Sequence, residues 1–315
     1  MRTRRRARPG GEGRLLQLVY YGYVAFSWLA RRLPEGAAYG LAHLLGSAAA
    51  RLSRKRAQVE ANLARITGEP LGSPRLAELV TEAFRSYARY WLETFRLVRA
   101  GREFFLERFI CEGEEHLDAV LARGKGAVVA VGHMGNWDAA GAWVGARGNH
   151  LVTVAEVLRP RRMFEFFVEH RARLGMTIYP AEPGVTARLV EAVDSGAVVA
   201  ILCDRDLKGT GPKVTFFGEE TTFPGGAASL ALRTGVPLLV AGVYGEVLSG
   251  GRRGWRAVIS EPLELPGGRG PDAIAKLTQQ IADVLEGYVA KRPEEWHVFQ
   301  PFWTRDRAQP RGRGR

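Results

Sequence analysis

Apolar positions along the chain follow two different periods. Over residues 15–105 they recur at helical spacing, with breaks at Pro34-Glu35-Gly36, at Thr67-Gly68-Glu69-Pro70 and around Gly72-Ser73-Pro74. Ser73-Pro74 opens a helix in which Leu76, Leu79, Val80, Ala83, Phe84, Tyr87 and Trp91 form one stripe, the pattern of a face turned to a core. From about residue 108 the pattern changes. Short apolar runs at 109–112, 127–131, 151–155, 177–179, 197–202, 237–243 and 255–260 alternate with helical runs at 114–122, 137–145, 161–174, 185–194 and 226–233. A last helix is expected over 272–288. This alternation predicts an α/β fold with a mostly parallel central sheet flanked by helices. The expected organisation is a basic tail over 1–14, a helical section over 15–105, an α/β core over 106–304 and a second basic tail over 305–315. No internal repeat is visible.

Charge changes the picture less than its total suggests. The formal net charge is +12, but residues 1–8 carry five arginines without an acid and residues 305–315 carry five against one aspartate, which leaves +3 for the body. Such ends are expected to be disordered, with lipid and nucleic acid equally good partners on charge alone. With 46% hydrophobic and 25% charged residues in 315, the body is that of a folded globular chain. Cys111 and Cys203 are far apart, each in an apolar segment, so neither a disulfide framework nor a cysteine metal site is suggested and a reducing compartment is expected.

The first helical run tips the balance towards lipid. Residues 15–30, LLQLVYYGYVAFSWLA, are almost wholly apolar and rich in Tyr and Trp, with Arg14 before them and Arg31-Arg32 after. A bilayer span needs roughly 20 residues, so a shallow or partly inserted anchor fits better than a full crossing. A packed core helix is the other reading, and one helix can serve both ends. A signal peptide shares the basic start, but no small-residue cleavage site directly precedes Arg31-Arg32-Leu33-Pro34.

Candidate chemistry concentrates in Val131-Gly132-His133-Met134-Gly135-Asn136-Trp137-Asp138, where a buried strand runs out into a helix. Carboxyl ends of parallel strands are where open α/β sheets place ligands. A histidine there suits a general base, and an acid on its other ring nitrogen fixes the tautomer and stabilises the imidazolium. Asp138 is near enough in sequence to be that acid. A capping histidine with a helix-surface aspartate fits the same spacing. Asp204-Arg205-Asp206 follows the strand at 197–202 and emerges at the same edge, either as a substrate contact or as a surface salt-bridge turn. Phe223-Pro224-Gly225-Gly226 precedes a helix whose free N–H groups suit an anion.

These segments, together with Arg54-Lys55-Arg56, Asn62-Leu63 and Phe84-Arg85-Ser86-Tyr87-Ala88-Arg89-Tyr90-Trp91, resemble the bacterial lipid A late acyltransferase family. The likeness is strongest to its actinobacterial phosphatidylinositol mannoside acyltransferase branch and spans nearly everything between the arginine tails. The resemblance implies a glycerol-phosphate acyltransferase-like sheet and transfer of a palmitoyl-like chain from acyl-CoA to a mannose hydroxyl of a phosphatidylinositol mannoside. It implies His133 as general base, Asp138 as its support and Glu156 as an assisting acid. Asn136, Asp204, Arg205 and Asp206 are placed on the substrate side, with the two aspartates suited to sugar hydroxyls, and Arg171 lies near the site, where its guanidinium suits a phosphate or the catalytic acids. In the wider superfamily a glutamate follows Phe-Pro; Gly225 stands there, so that role does not carry over. His297, flanked by aromatics, is read as packed rather than catalytic.

No cofactor or metal is implied beyond acyl-CoA as donor substrate. The expected partners are that donor, the mannosylated acceptor and the anionic inner-membrane surface, with no nucleic acid, at the cytoplasmic face of the cell membrane. The rival within enzymes is late acylation of lipid A from acyl-CoA or an acyl carrier protein. A dinucleotide-binding oxidoreductase lacks its Gly-x-Gly-x-x-Gly, and a non-catalytic adaptor would act through the arginine tails. Without a Gly-x-Ser-x-Gly elbow or a cysteine in a nucleophile setting, an acyl-enzyme is not expected.

Overall fold

A computed structural model of the chain describes residues 14–307. The arginine-rich stretch 1–8 lies outside the described residues, as does 308–315. Five helices come first: α1 (Arg14–Ala30), α2 (Glu35–Leu52), α3 (Arg56–Thr67), α4 (Pro74–Leu97) and α5 (Arg102–Arg108). The alternating section follows as β1 (Phe109–Glu112), α6 (Glu114–Leu121), β2 (Ala127–Val131), α7 (Trp137–Ala146), β3 (Leu151–Ala155), α8 (Arg161–Ala172), β4 (Met176–Pro180), α9 (Val185–Asp194) and β5 (Val198–Leu202). The remainder is β6 (Lys213–Phe216), β7 (Glu219–Thr222), α10 (Gly226–Thr234), β8 (Leu238–Val247), β9 (Arg253–Ile259), α11 (Pro271–Lys291) and α12 (Thr304–Arg307).

All seven expected strands are present and form one sheet in the order β1-β9-β8-β2-β5-β3-β4. Every pairing is parallel except β8 with β9. β2 is buried at all five residues, because both faces are covered. Val128 and Ala130 join the core under α9, α10 and α11, while Ala127, Val129 and Val131 join the one that includes Trp143 of α7 and Phe105 of α5. The small hairpin β6–β7 is the element that sequence reading missed. Only Val214 and Phe216 alternate inward on β6, too short a pattern beside its polar neighbours.

The helical front section shares the main core. Ser73 caps α4 by accepting the Leu76 N–H at 3.1 Å, and Leu76, Val80 and Phe84 pack into the core that holds β2. A stripe of small residues, Ala38, Ala42, Gly46 and Ala50, lets α2 lie close on α4. A Cβ on Gly46 would stand 2.6 Å from Arg85 Cα. On α1, Tyr20, Tyr23 and Phe26 pack against Trp91, Phe95, Phe166 and Phe167, while Leu16, Leu18, Val19, Tyr21, Trp28 and Leu29 stay exposed. Among the described residues no helix is long and apolar enough to cross a membrane. At the end of the described residues Asp306 pairs with Arg65, and Arg307 donates to Thr222 at 2.9 Å.

Candidate active site

Strand register builds the site. Val131 of β2 is paired with Leu202 of β5, so His133 and Asp204, each two residues further on, leave the sheet side by side. His133 Nδ1 lies 2.5 Å from Asp204 Oδ1, and the His133 backbone N–H donates to Asp204 Oδ2 at 2.9 Å. Trp296 Nε1–H donates to the same Oδ2 at 2.8 Å. A carboxylate only accepts, so Nδ1 carries the proton and Nε2 is left as the basic nitrogen. The side chain of His133 is 13% exposed, whereas that of Asp204 is fully buried. Burial pushes the Asp204 carboxyl up, but the His133 charge and the donors from His133 and Trp296 outweigh it and hold it below the usual carboxylate range.

The loop carrying His133 is held from behind by residues 295–297. The His297 N–H donates to the His133 carbonyl at 2.7 Å, Met134 bridges Trp296, and the Gly135 N–H donates to the Glu295 carbonyl at 2.9 Å. Gly135 has φ 55°, and a Cβ there would stand 2.2 Å from the Val243 carbonyl oxygen, so the tight exit from β2 requires glycine. Glu295 is buried and bonded to Arg89 at 2.6 Å and to Ser86 at 2.8 Å. Burial pushes its carboxyl up, and Arg89, His297, Ser86 and Arg292 together more than reverse that. His297 is packed, as expected: it lies 4% exposed among Tyr87, Tyr90 and Trp137, with Ser86 Oγ 2.9 Å from its Nε2. Burial drives its imidazole down to about 3.

Asp138 does not orient His133. It sits in the first turn of α7, buried, accepting from Arg171 Nε at 2.6 Å and from Tyr90 OH at 3.0 Å. Burial raises its carboxyl, and Arg171 pulls it back below the usual range. A residue one helical turn into α7 points at the neighbouring α8, whereas the end of a paired strand points at the end of the next. Arg171 is therefore the counter-ion of Asp138, the acid-holding one of its two expected roles. Asn136 is also structural: its Oδ1 caps α7 by accepting from the Ala139 N–H at 3.0 Å, and its Nδ2 donates to Glu93 at 3.0 Å. Glu156 is exposed just past β3, and β5 lies between β3 and β2. No hydrogen bond joins Glu156 to His133 among the described residues.

Asp204 and Asp206 differ from their expected sugar contacts. Both Asp204 oxygens are occupied as described. Asp206 Oδ1 accepts from the Lys208 and Gly209 N–H groups and Oδ2 from Gly211 at 2.7 Å, which fixes the turn over 206–211. Burial raises its carboxyl slightly, and these donors bring it below the usual range. Arg205, between them, is half-buried, and its Nε has no hydrogen-bond partner among the described residues. The turn before α10 packs on Pro212 and Ile274. Among the described residues no group of His, Cys, Asp and Glu is arranged to hold a metal.

Sequence reading gave no site role to Trp296, Glu93 or Glu295. The partners of Glu295, Ser86 and Arg89, stood in the Phe84–Trp91 motif, and Tyr90 of the same motif donates to Asp138. The model of the bacterial lipid A biosynthesis acyltransferase family matches residues 8–305. The chain belongs to this family. The acyltransferase is 35% identical over 299 residues to the phosphatidylinositol mannoside acyltransferase of Mycobacterium tuberculosis, covering 92% of this chain and 90% of that protein. To the protein of the same name from Mycolicibacterium smegmatis it is 33% identical over 300 residues, with 94% of each covered. Among solved structures it is similar to a 1-acyl-sn-glycerophosphate acyltransferase from Thermotoga maritima, at 15% identity and a TM-score of 0.36, over 79% of this chain and 96% of that one. The acyltransferase is thus of the lipid A and phosphatidylinositol mannoside type.

Proposed function

We propose that this acyltransferase moves a fatty acyl chain from acyl-CoA to a mannose hydroxyl of a phosphatidylinositol mannoside, with His133 as general base. The observation that carries the reading is the His133–Asp204 pair, at the carboxyl edge of the sheet, with the acid closed off and the base partly open. His133 Nε2 takes the hydroxyl proton as the oxygen attacks the thioester carbonyl. Collapse of the tetrahedral intermediate breaks the C–S bond, and the leaving thiolate recovers the proton from the imidazolium. Asp204 remains a carboxylate throughout and stabilises the charged ring. Arg205 is assigned to the acceptor, supported by its unpartnered Nε beside the pair. The direct route without an acyl-enzyme is supported by Cys203, whose thiol is buried and pushed well up.

The acceptor assignment is supported by the mycobacterial relatives, which are phosphatidylinositol mannoside acyltransferases, and the donor by the chemistry of fatty thioesters. Membrane association at the cytoplasmic face, peripheral or shallow, is supported by the unpacked apolar side of α1. The test is incubation of the purified chain with palmitoyl-CoA and monomannosyl or dimannosyl phosphatidylinositol, with mass spectrometry of the lipid. One added palmitoyl ester is the expected product. No product from these acceptors, with turnover of a lipid A precursor from acyl carrier protein, would overturn the acceptor and donor assignments.

A further inference from the structure

Two buried carboxylates that take no part in the proposed chemistry hold the His133 loop in place from two sides. Glu295 is the first. Its carbonyl accepts from the Gly135 N–H at 2.9 Å, the indole of Trp296 reaches Asp204, and the His297 N–H meets the His133 carbonyl. Glu93 of α4 is the second. Its Oε2 accepts from Asn136 Nδ2 at 3.0 Å and from Trp255 Nε1 at 2.7 Å, which fixes the residue that caps α7.

One guanidinium serves both. Arg89, one turn before Glu93 on α4, places Nη2 2.6 and 2.7 Å from the two Glu295 oxygens and Nε 3.8 Å from Glu93 Oε1. Among the described residues it is the only cation within 4.0 Å of Glu93, whereas Arg292 also reaches Glu295, at 3.3 Å. A buried carboxylate stripped of its cation moves or takes up a proton, and either change passes to the loop it holds. The planar fork of an arginine suits such a bridge better than the point charge of a lysine. Strand β8 leaves room for it. A Cβ on Gly245 would stand 2.8 Å from Arg89 Nη2 and 3.0 Å from its Cζ, so glycine at this position lets the guanidinium lie flat against the backbone.

We infer that Arg89 is a positioning residue for His133, seated by Gly245 and acting through Glu93 and Glu295 on the loop that carries the base. The inference rests on the acyl-transfer reading for the role of His133, so it is tested with two readouts. One is kcat and KM for acyl transfer. The other needs no substrate: the downfield proton resonance of the His133 Nδ1–H to Asp204 hydrogen bond, identified by its absence in His133→Ala. The variants are Arg89→Met, Arg89→Lys and Gly245→Ala. Arg147→Met is the control, because Arg147 also bridges two carboxylates, Glu114 at 2.7 Å and Asp118 at 2.9 Å, at the far end of α7.

Misplacing a reacting group by about 1 Å costs about 10²-fold, so Arg89→Met should lose about that much kcat with KM nearly unchanged, and its resonance should shift or broaden. Arg89→Lys should recover about ten-fold of the loss, since it restores charge without the fork. Gly245→Ala keeps the charge and displaces the guanidinium, and should lose about ten-fold with the same change in the resonance. Arg147→Met should keep the resonance in place and kcat per folded molecule within about two-fold, whatever it loses in Tm. Should Arg89→Met fail to fold, Arg89→Lys and Gly245→Ala decide. A resonance unmoved in the Arg89 and Gly245 variants, or kcat losses no larger than in the control, would overturn the inference. A parent chain that shows the resonance but acylates no acceptor would count against the acyl-transfer reading instead, and the resonance alone would then decide whether Arg89 positions His133.

Discussion

His133 and Asp204 are 71 residues apart in sequence and share a 2.5 Å hydrogen bond. Parallel pairing of their strands brings them together, with Trp296 fixing the far carboxylate oxygen. Asp204→Asn keeps the shape and removes the charge, so the imidazole loses both its tautomer control and its counter-ion. The rate constant for acyl transfer should fall about 10³-fold with KM for the acceptor little changed. Steady-state kinetics on the purified variant check this, and a variant within a few-fold of the parent would remove Asp204 from the mechanism.

Asp138 and Arg171 behave as a structural pair. Removing one partner leaves a buried charge alone, so Asp138→Asn and Arg171→Met should each cost about 3 kcal/mol in chemical denaturation. The double variant should cost clearly less than the sum of the two. Activity per folded molecule should change far less than in Asp204→Asn. Additive stability losses would contradict the pairing.

His297 supplies a pH signature in stability. Burial holds its folded pKa down to about 3, against about 6.5 for an unfolded histidine. Between those values the unfolded chain binds the extra proton, so stability falls as pH drops below about 6.5, by about 1.4 kcal/mol per unit. The depressed carboxyls of Asp138, Asp204 and Glu295 act in the same direction only below about pH 4.5, where the unfolded chain begins to protonate. Melting temperatures from pH 7 to pH 5 should therefore decline in the parent and decline less steeply in His297→Gln, where His170, also held down by burial, still contributes. Parallel curves would exclude His297 as the source.

Much of the fold was legible in the sequence, and the site only in part. The β2 run, buried at every residue, and the helical stripe of α4 follow from burial periods that a single chain displays. His133 was visible because it ends such a run. Its partner was not, because nearness in sequence favoured Asp138, and only the Val131–Leu202 register selects Asp204 instead. Asn136, Asp138 and Arg171 lie beside the His133 loop and carry polar chemistry, but Asn136 accepts from Ala139 and donates to Glu93, and Asp138 accepts from Tyr90 and Arg171. Trp296 and Glu295 arrive from the far end of the chain, and no local pattern ties them to His133.

In the proposed mechanism His133 and Asp204 act as one unit, with His133 as the base. Single-turnover acyl transfer from palmitoyl-CoA to a mannosylated phosphatidylinositol, measured for His133→Ala, Asp204→Ala and the double variant, tests it most directly. His133→Ala should lose at least about 10³-fold, and the double variant should be no slower than His133→Ala, because the acid acts only through the base. Acylation by His133→Ala at the rate of the parent chain would contradict the account.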